Sequence, residues 1–124
     1  MSNADLAERL FAGLAAGDAA AVGDLCADDF RGYQNAGPAM DLATLMNFTR
    51  AVLGVVEGFR YEEAIRSATA TGFVEEHRVR GTLPDGSALD IAACVVGEVR
   101  DGRVVELREY LDSRAATPLL KALA

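Results

Sequence analysis

Two Asp-Gly dipeptides, Asp85-Gly86 and Asp101-Gly102, constrain the fold of this chain most. Each separates two runs in which apolar and polar residues alternate. Asp-Gly between such runs is the strongest local signal of a β-hairpin, because a tight turn needs residues that tolerate positive φ. The sequence therefore predicts an antiparallel meander of three strands, over residues 73–83, 87–100 and 103–112.

Helical periodicity precedes the meander. A first helix is predicted behind the cap candidates Ser2 and Asn3, and its apolar stripe consists of Leu6, Leu10 and Leu14. Asp18 and Asp41 are the N-cap candidates of a second and a third helix. The period changes to two over residues 59–70, and residues 30–35 form a short extended segment between the helices. The predicted fold class is α+β, with N-terminal helices packed on a curved antiparallel or mixed sheet.

The middle strand of the meander, residues 87–100, is apolar on both of its faces. Such a strand is covered on both sides in a folded protein. The helices can cover one face closely, so we expect a second copy of the chain to cover the other and form a homodimer.

The size and composition fit a single domain, 1–124, that needs neither disulfide bonds nor a structural metal to fold. A net charge of −7 argues against nucleic acid as a partner. Cys26 and Cys94 lack CxxC spacing, so we expect free thiols and a cytoplasmic location. No stretch approaches the length of a membrane span or shows the pattern of a targeting segment, so no membrane partner is expected.

The sequence contains a single histidine, His77. One histidine excludes a His-rich metal site and the HExxH motif, and no glycine-rich phosphate loop is present. Catalysis would therefore depend on carboxylates, Tyr, Asn, Arg or a bound water, and we expect neither a cofactor nor a metal. His77 itself is predicted to be a partly exposed strand residue.

Charged residues occupy the first strand of the meander, beside the apolar middle strand. A two-residue turn at Asp85-Gly86 would place six residues on one face, namely Glu76, Arg78, Arg80, Ile91, Ala93 and Val95. Charges beside an apolar surface must pair, reach solvent or meet a polar group of a ligand. This face is therefore a candidate ligand site, and an ion-pair network at the edge of the sheet is the alternative.

Tyr33 and Asn35 are two residues apart on an extended segment, so their side chains point the same way and could hold a water or a ligand oxygen. The alternative is a core tyrosine followed by a turn asparagine. A three-residue loop at 100–102 would direct Glu109 toward the face of Arg78. A two-residue loop would instead direct Arg108, Tyr110 and Asp112 toward that face. The sequence leaves both arrangements open.

At these residues the chain resembles the limonene-1,2-epoxide hydrolase branch of the superfamily named for nuclear transport factor 2 (NTF2), which also includes SnoaL-like polyketide cyclases and ketosteroid isomerase. The resemblance extends over most of the chain and is carried by residues 33–35, 72–80, 83–86 and 108–112. It implies a cone-shaped, cystatin-like fold that encloses a pocket for a small hydrophobic molecule of terpenoid, steroid or polyketide type.

The resemblance to the epoxide hydrolases also implies roles for individual residues. Tyr33 and Asn35 would hold the attacking water, Arg78 would bridge two acids, and Glu109 would protonate the epoxide oxygen. The position of the general base is occupied by Arg80, and a guanidinium cannot accept a proton from water.

Two hypotheses follow from that substitution. Glu76, which shares the strand face with Arg80, would replace the missing base. In the other hypothesis Arg80 binds an anionic or carbonyl oxygen in isomerase or cyclase chemistry, while Glu109 or Asp112 moves the proton. Ile91, Ala93, Leu111 and Asp112 would complete the ligand-binding surface.

The sequence thus supports an enzyme with an atypical site, and the alternative is a non-catalytic small-molecule binder or a dimeric interaction module. The state of the acids separates these hypotheses. An enzyme predicts a carboxyl group with a raised pKa inside the pocket, whereas a pure ion-pair network predicts acids with lowered pKa values.

Overall fold

Four helices and one five-stranded sheet make up the computed structural model, which describes residues 1–124. The helices are α1 Asn3–Ala16, α2 Ala19–Leu25, α3 Leu42–Val55 and α4 Ser113–Leu123. The strands are β1 Cys26–Gln34, β2 Glu57–Ala68, β3 Gly72–Thr82, β4 Ala88–Arg100 and β5 Arg103–Leu111. None of the helices has the length and apolar composition needed to cross a membrane.

Side-chain caps determine where the helices begin. The hydroxyl of Ser2 accepts a hydrogen bond from the backbone N–H of Asp5, and the Asp5 carboxylate accepts one from Ser2 in return. Asp18 and Asp41 cap α2 and α3 as predicted. Asp112 caps α4, a helix that was not predicted from the sequence.

The strands form a single mixed sheet in the order β1-β5-β4-β3-β2. Strands β2 to β5 are consecutive antiparallel neighbours, which confirms the predicted meander. Strand β1 lies at the edge and runs parallel to β5. The α+β class with helices packed on a mixed sheet is thus confirmed, with α4 as an addition at the C-terminal end.

The predicted register between β3 and β4 was wrong by one residue. The connection is a five-residue loop, in which Gly86 N–H donates to Leu83 O and Gly86 adopts φ +85°. Thr82 consequently pairs with Ala88, Arg80 with Asp90 and Arg78 with Ala92. Because side chains alternate between faces, a one-residue shift moves every β3 side chain to the other face relative to β4.

The correction separates the charged residues of β3 from the apolar ones of β4. Glu76, Arg78 and Arg80 lie on the outer face of the sheet, away from the helices. The inner face, which the helices cover, carries instead Phe73, Glu75, His77 and Val79 of β3 with Ile91, Ala93 and Val95 of β4.

The β4–β5 hairpin has the two-residue turn, but a bulge beside the turn orients the side chains of the rest of β5, relative to β4, as the three-residue loop would. Asp101 and Gly102, at φ +53° and +76°, form a two-residue turn in which Arg100 pairs with Arg103. A bulge beyond Val99 then shifts the register, so that Glu98 pairs with Glu106 and Val95 with Glu109. Glu109 therefore lies on the inner face of the sheet.

Two apolar clusters fill the space between the helices and the inner face. The larger one joins α1 and α2 to the sheet around Leu10, Phe30 and Phe73. The smaller one joins α3 and α4 to the sheet around Val52 and Leu119. The space between the clusters is not completely filled, and it forms the cavity described next.

Candidate functional site

A cavity of about 310 Å³ lies between the inner face of the sheet and helices α1, α3 and α4. Seventeen of the 23 residues that line it are hydrophobic, so a molecule that fits there is mostly apolar. Leu120 of α4 lines the cavity although it is 54% exposed, so the cavity reaches the surface at α4.

The polar residues of the cavity come mainly from the end of β1 and from β5. Tyr33, Gln34 and Asn35 lie beside Glu109, because β1 and β5 pair in parallel and Asn35 N–H donates to Glu109 O over 2.8 Å. Tyr61 of β2 contributes a further polar group.

The orientation of the Asn35 side chain is determined by the backbone of β5. Asn35 Oδ1 accepts a hydrogen bond from Leu111 N–H over 2.9 Å, so its amide nitrogen remains available as a donor. Asn35 adopts φ +48°, a conformation that asparagine tolerates better than most residues. The structure thus combines the turn role and the cavity role that were considered as alternatives for this residue.

Glu109 is the carboxyl group of the cavity. Its side chain accepts a hydrogen bond from Gln34 Nε2 over 3.1 Å. Burial raises the pKa of the Glu109 carboxyl, while the charge of His77 and the hydrogen bond from Gln34 act in the opposite direction. An acid in this state can exchange a proton closer to neutral pH than an exposed glutamate can.

Tyr61 is a second titratable group among the residues that line the cavity. Burial raises the pKa of the Tyr61 phenol, and the negative charges of Glu109 and Glu75 raise it further. Tyr61 therefore stays protonated and can act as a hydrogen-bond donor in the cavity.

The arginines proposed for the site lie elsewhere. Arg78 Nε donates to Asp90 Oδ1 over 2.8 Å, and Arg80 contacts Asp90 and, over 2.6 Å, Glu63. These residues form an ion-pair network on the outer face, which was the alternative for this strand. The hydrogen bond from Arg78 lowers the pKa of Asp90, as expected for such a network.

The remaining sequence-predicted site residues divide between the two faces. Ile91 and Leu111 line the cavity, and Ala93 is buried on the same face without lining it. Glu76 is exposed on the outer face, opposite Cys94 of β4. Asp112 is an exposed helix cap that accepts hydrogen bonds from two backbone N–H groups of α4. The structure thus brings Tyr33, Asn35 and Glu109 together but leaves Arg78, Arg80, Glu76 and Asp112 outside the cavity.

Sequence reasoning missed two buried polar residues of the inner face, Glu75 and His77. Glu75 is fully buried, and His77 is 3% exposed, so the prediction that His77 is partly exposed was wrong. No three His, Cys, Asp or Glu side chains form a group that could hold a metal ion.

Comparison with known proteins identifies the family. No protein of curated function matches the chain in sequence. Among solved structures, a candidate polyketide cyclase from Pseudomonas putida KT2440 superposes with a TM-score of 0.80 at 18% identity, covering 93% of this chain and 95% of its own. A candidate isomerase from Bacillus subtilis gives a TM-score of 0.76 at 14% identity, with coverages of 97% and 94%.

An NTF2-like protein from Burkholderia xenovorans LB400 gives a TM-score of 0.78 at 21% identity, covering 98% of this chain and 95% of its own. These likenesses show a common fold, and they do not single out the epoxide hydrolase branch. The family model described as "SnoaL-like domain" matches residues 7–107. The chain therefore belongs to the SnoaL-like domain family of the NTF2-like superfamily.

Proposed function

We propose that this protein is an acid–base enzyme of isomerase or cyclase type, acting on a small and mostly apolar carbonyl compound. The observation that carries the proposal is the Glu109 carboxyl group, which lies in an apolar cavity with a raised pKa. The names of the cyclase and isomerase relatives support the same class of chemistry.

Glu109 would move the proton. Its carboxylate removes a proton from the carbon next to the substrate carbonyl, and the electron pair of that C–H bond moves into an enolate. In an isomerisation, the Glu109 carboxylic acid returns the proton to another carbon of the enolate. In a cyclisation, the enolate carbon attacks a second carbonyl carbon of the substrate, and the acid protonates the alkoxide that forms.

Hydrogen-bond donors of the cavity would stabilise the charge that develops on oxygen. The free amide nitrogen of Asn35 and the hydroxyl groups of Tyr33 and Tyr61 are donors among the residues that line it. Donors that are already oriented in an apolar site stabilise an oxyanion more strongly than water does. Asn35 lies at the exposed rim of the cavity, and its bond to Leu111 N–H fixes its orientation.

This chemistry fits the cavity better than epoxide hydrolysis does. The epoxide hydrolase roles need an arginine between two acids, but Arg78 and Arg80 point away from the cavity toward Asp90. Glu76, the hypothesised replacement base, is exposed on that outer face as well. Only Tyr33, Asn35 and Glu109 of the resemblance remain beside one another in the cavity.

Hydrogen–deuterium exchange of an apolar ketone tests the proposal without knowledge of the natural substrate. 2-Tetralone, a bicyclic ketone with acidic protons next to its carbonyl, is incubated with the protein in D₂O and followed by proton NMR. We expect the protein to accelerate the exchange above the rate in buffer. Binding of the ketone without accelerated exchange would favour a non-catalytic binder, and the absence of both would refute an apolar carbonyl site.

We further propose that a second copy of the chain covers the outer face of the sheet. Tyr110 and Ile65 are 47% and 67% exposed there, and Ala92 is also exposed. Large apolar side chains grouped on one sheet face are typical of protein interfaces. The ion-paired residues of β3 lie on the same face and would give the interface its polar contacts.

The state of the cysteines supports a reducing location, for which we propose the cytoplasm. Cys26 and Cys94 are unpaired. Burial raises the pKa of the Cys26 thiol to about 11, so this thiol is unreactive at neutral pH.

A further inference from the structure

A chain of buried polar contacts lies on the inner face of the sheet, apart from the groups used above. Arg66 of β2 donates to Glu75 Oε1 through Nε and Nη2, over 2.7 and 2.6 Å. Glu75 Oε2 in turn contacts His77 Nδ1 over 2.6 Å. The side chains of Glu75 and His77 are fully buried, while Arg66 reaches the surface. We call Arg66, Glu75 and His77 the buried polar chain.

The free end of the buried polar chain is His77 Nε2. Because Glu75 accepts a hydrogen bond from Nδ1–H, it determines which nitrogen of the neutral ring remains without a proton. Nε2 is the only buried side-chain nitrogen or oxygen in the protein without a hydrogen-bond partner. An unpaired buried polar atom costs on the order of 1–3 kcal/mol, so its persistence calls for an explanation.

The neighbours of His77 place it directly behind the inner wall of the cavity. His77 pairs across the sheet with Ala93, which pairs on its other side with Leu111. Leu111 lines the cavity, and Ala93, which lies between it and His77, is buried on the same face. The rings of Tyr61 and Phe11 lie 4.5 and 5.0 Å from the imidazole ring, and both also line the cavity.

We propose that His77 Nε2 binds an oxygen atom of the ligand at the inner end of the cavity, and that Glu75 and Arg66 are positioning residues for it. The inference deepens the proposed function and rests on it. Tyr61 and Phe11 both pack on the imidazole ring and line the cavity, so one of these rings would have to move aside when a ligand reaches Nε2.

The charges of the buried polar chain suit this role. With the proton of the neutral ring held on Nδ1 by Glu75, Nε2 accepts a hydrogen bond from a hydroxyl group of the ligand, such as the enol form of a carbonyl compound. The Glu75 carboxylate, 2.6 Å from Nδ1, holds the ring in this tautomer, and Arg66 balances the charge of Glu75. His77 and Glu109 lie on strands separated only by β4, but His77 is level with Leu111, two residues from Glu109, so their backbones are about 12 Å apart. A small molecule can therefore contact both side chains at once.

The experiment uses the fact that His77 is the only histidine of the chain. Protein labelled with ¹⁵N in histidine gives one imidazole spin system, whose two nitrogen signals report protonation and hydrogen bonding separately. The intact protein is titrated with 2-naphthol, a bicyclic phenol that resembles an enol, and in parallel with naphthalene, which has the same rings but no oxygen.

We expect 2-naphthol to shift the Nε2 signal and to leave Nδ1 bonded to Glu75, whereas naphthalene binds without the Nε2 shift. The variant His77→Phe should bind 2-naphthol about threefold to tenfold more weakly, the worth of one hydrogen bond, and bind naphthalene unchanged. If both compounds bind and Nε2 does not respond to the hydroxyl group, the role of His77 is refuted while that of Glu109 stands. If neither compound binds, the cavity is not a site for apolar ligands and both proposals fail.

The positioning role of Glu75 has its own readout. In Glu75→Gln the amide can donate as well as accept, so the proton is no longer held on Nδ1 and the ¹⁵N spectrum should show a changed tautomer ratio. The adjacent variant Glu76→Gln makes the same change on the outer face and should leave the spectrum as it is. An unchanged tautomer ratio in folded Glu75→Gln protein would refute the positioning role.

Discussion

Replacing Glu109 by glutamine is the most direct test of the proposed chemistry. Glutamine has nearly the same shape and can still contact Gln34, but it can neither accept nor return a proton. The matched control is Glu76→Gln, which makes the same exchange at an exposed position on the outer face.

The expected kinetic effect is large. A positioned general base contributes about 10²- to 10⁴-fold to a rate, which corresponds to about 3–5 kcal/mol of barrier. The rate of ketone exchange catalysed by Glu109→Gln should fall by that factor. Glu76→Gln should retain the rate of the unmodified protein, since its carboxylate lies on the opposite side of the sheet from the cavity.

The effect on stability should have the opposite sign. Burial raises the folded-state pKa of Glu109 above its unfolded value. The stability contributed by this group is therefore fully present below the unfolded pKa and is lost as the pH rises through the folded one. Each unit of separation between the two pKa values corresponds to about 1.4 kcal/mol. Glutamine removes this loss, so the variant should be the more stable protein at pH 8.

Both effects are measured on the same samples. Proton NMR in D₂O gives the exchange rate, and urea unfolding at pH 4 and at pH 8 gives the stability. The difference in unfolding free energy between Glu109→Gln and the unmodified protein should grow from pH 4 to pH 8, whereas Glu76→Gln should show no such trend. A variant that exchanges the ketone at the unmodified rate, or whose stability gain does not depend on pH, would refute our view of Glu109 as a desolvated base.

Two further changes test the packing and the assembly. A methyl group at Gly97 would lie 2.2 Å from the ring of the buried Phe73, so Gly97→Ala should lower the free energy of unfolding by at least about 1–3 kcal/mol. Gly54 has open space around it, so the control Gly54→Ala should be neutral or up to about 1 kcal/mol more stable. Urea unfolding measures both. Equal stabilities of these two variants would contradict the packing described here. Sedimentation of the unmodified protein should show a dimer. Tyr110→Glu, on the outer face, should dissociate this dimer, whereas the control Asn47→Glu, on the exposed surface of α3, should leave it intact. A monomer in the unmodified protein would refute the interface.

The order and type of most elements could be predicted because their signals are local. A capping aspartate such as Asp18 or Asp41 acts within one helical turn, and Asp-Gly acts within one hairpin. Helix α4 has an N-cap of the same kind in Asp112, but it contains Pro118, which interrupts the helical pattern after the first turns. For most strand ends, the predicted end residue lies within about two residues of the observed one.

Which β3 side chains face the helices could not be derived from the turn, because one residue more or less in the loop moves every side chain of the strand to the other face. Counting Asp85-Gly86 as a two-residue turn assigns the wrong face to every residue of the strand, whereas the actual loop of five residues reverses the assignment. The same problem arises at the next hairpin, where the bulge beyond Val99 changes the parity a second time. A single residue in a loop thus decides whether Arg78 or His77 lies on the inner face of the sheet.

The alternation within β3 was the more dependable signal. The odd positions include Phe73, Val79 and Gly81, whereas the even positions carry Arg78 and Arg80, so the odd face is the more apolar one and is expected to face the helices. On that basis Glu75 and His77 become two polar residues on an apolar face, a break in the pattern of the kind found at functional or strained sites. The polar residues of this strand that are buried against the helices are therefore the two that oppose the pattern. The arginines that follow it belong to the outer surface.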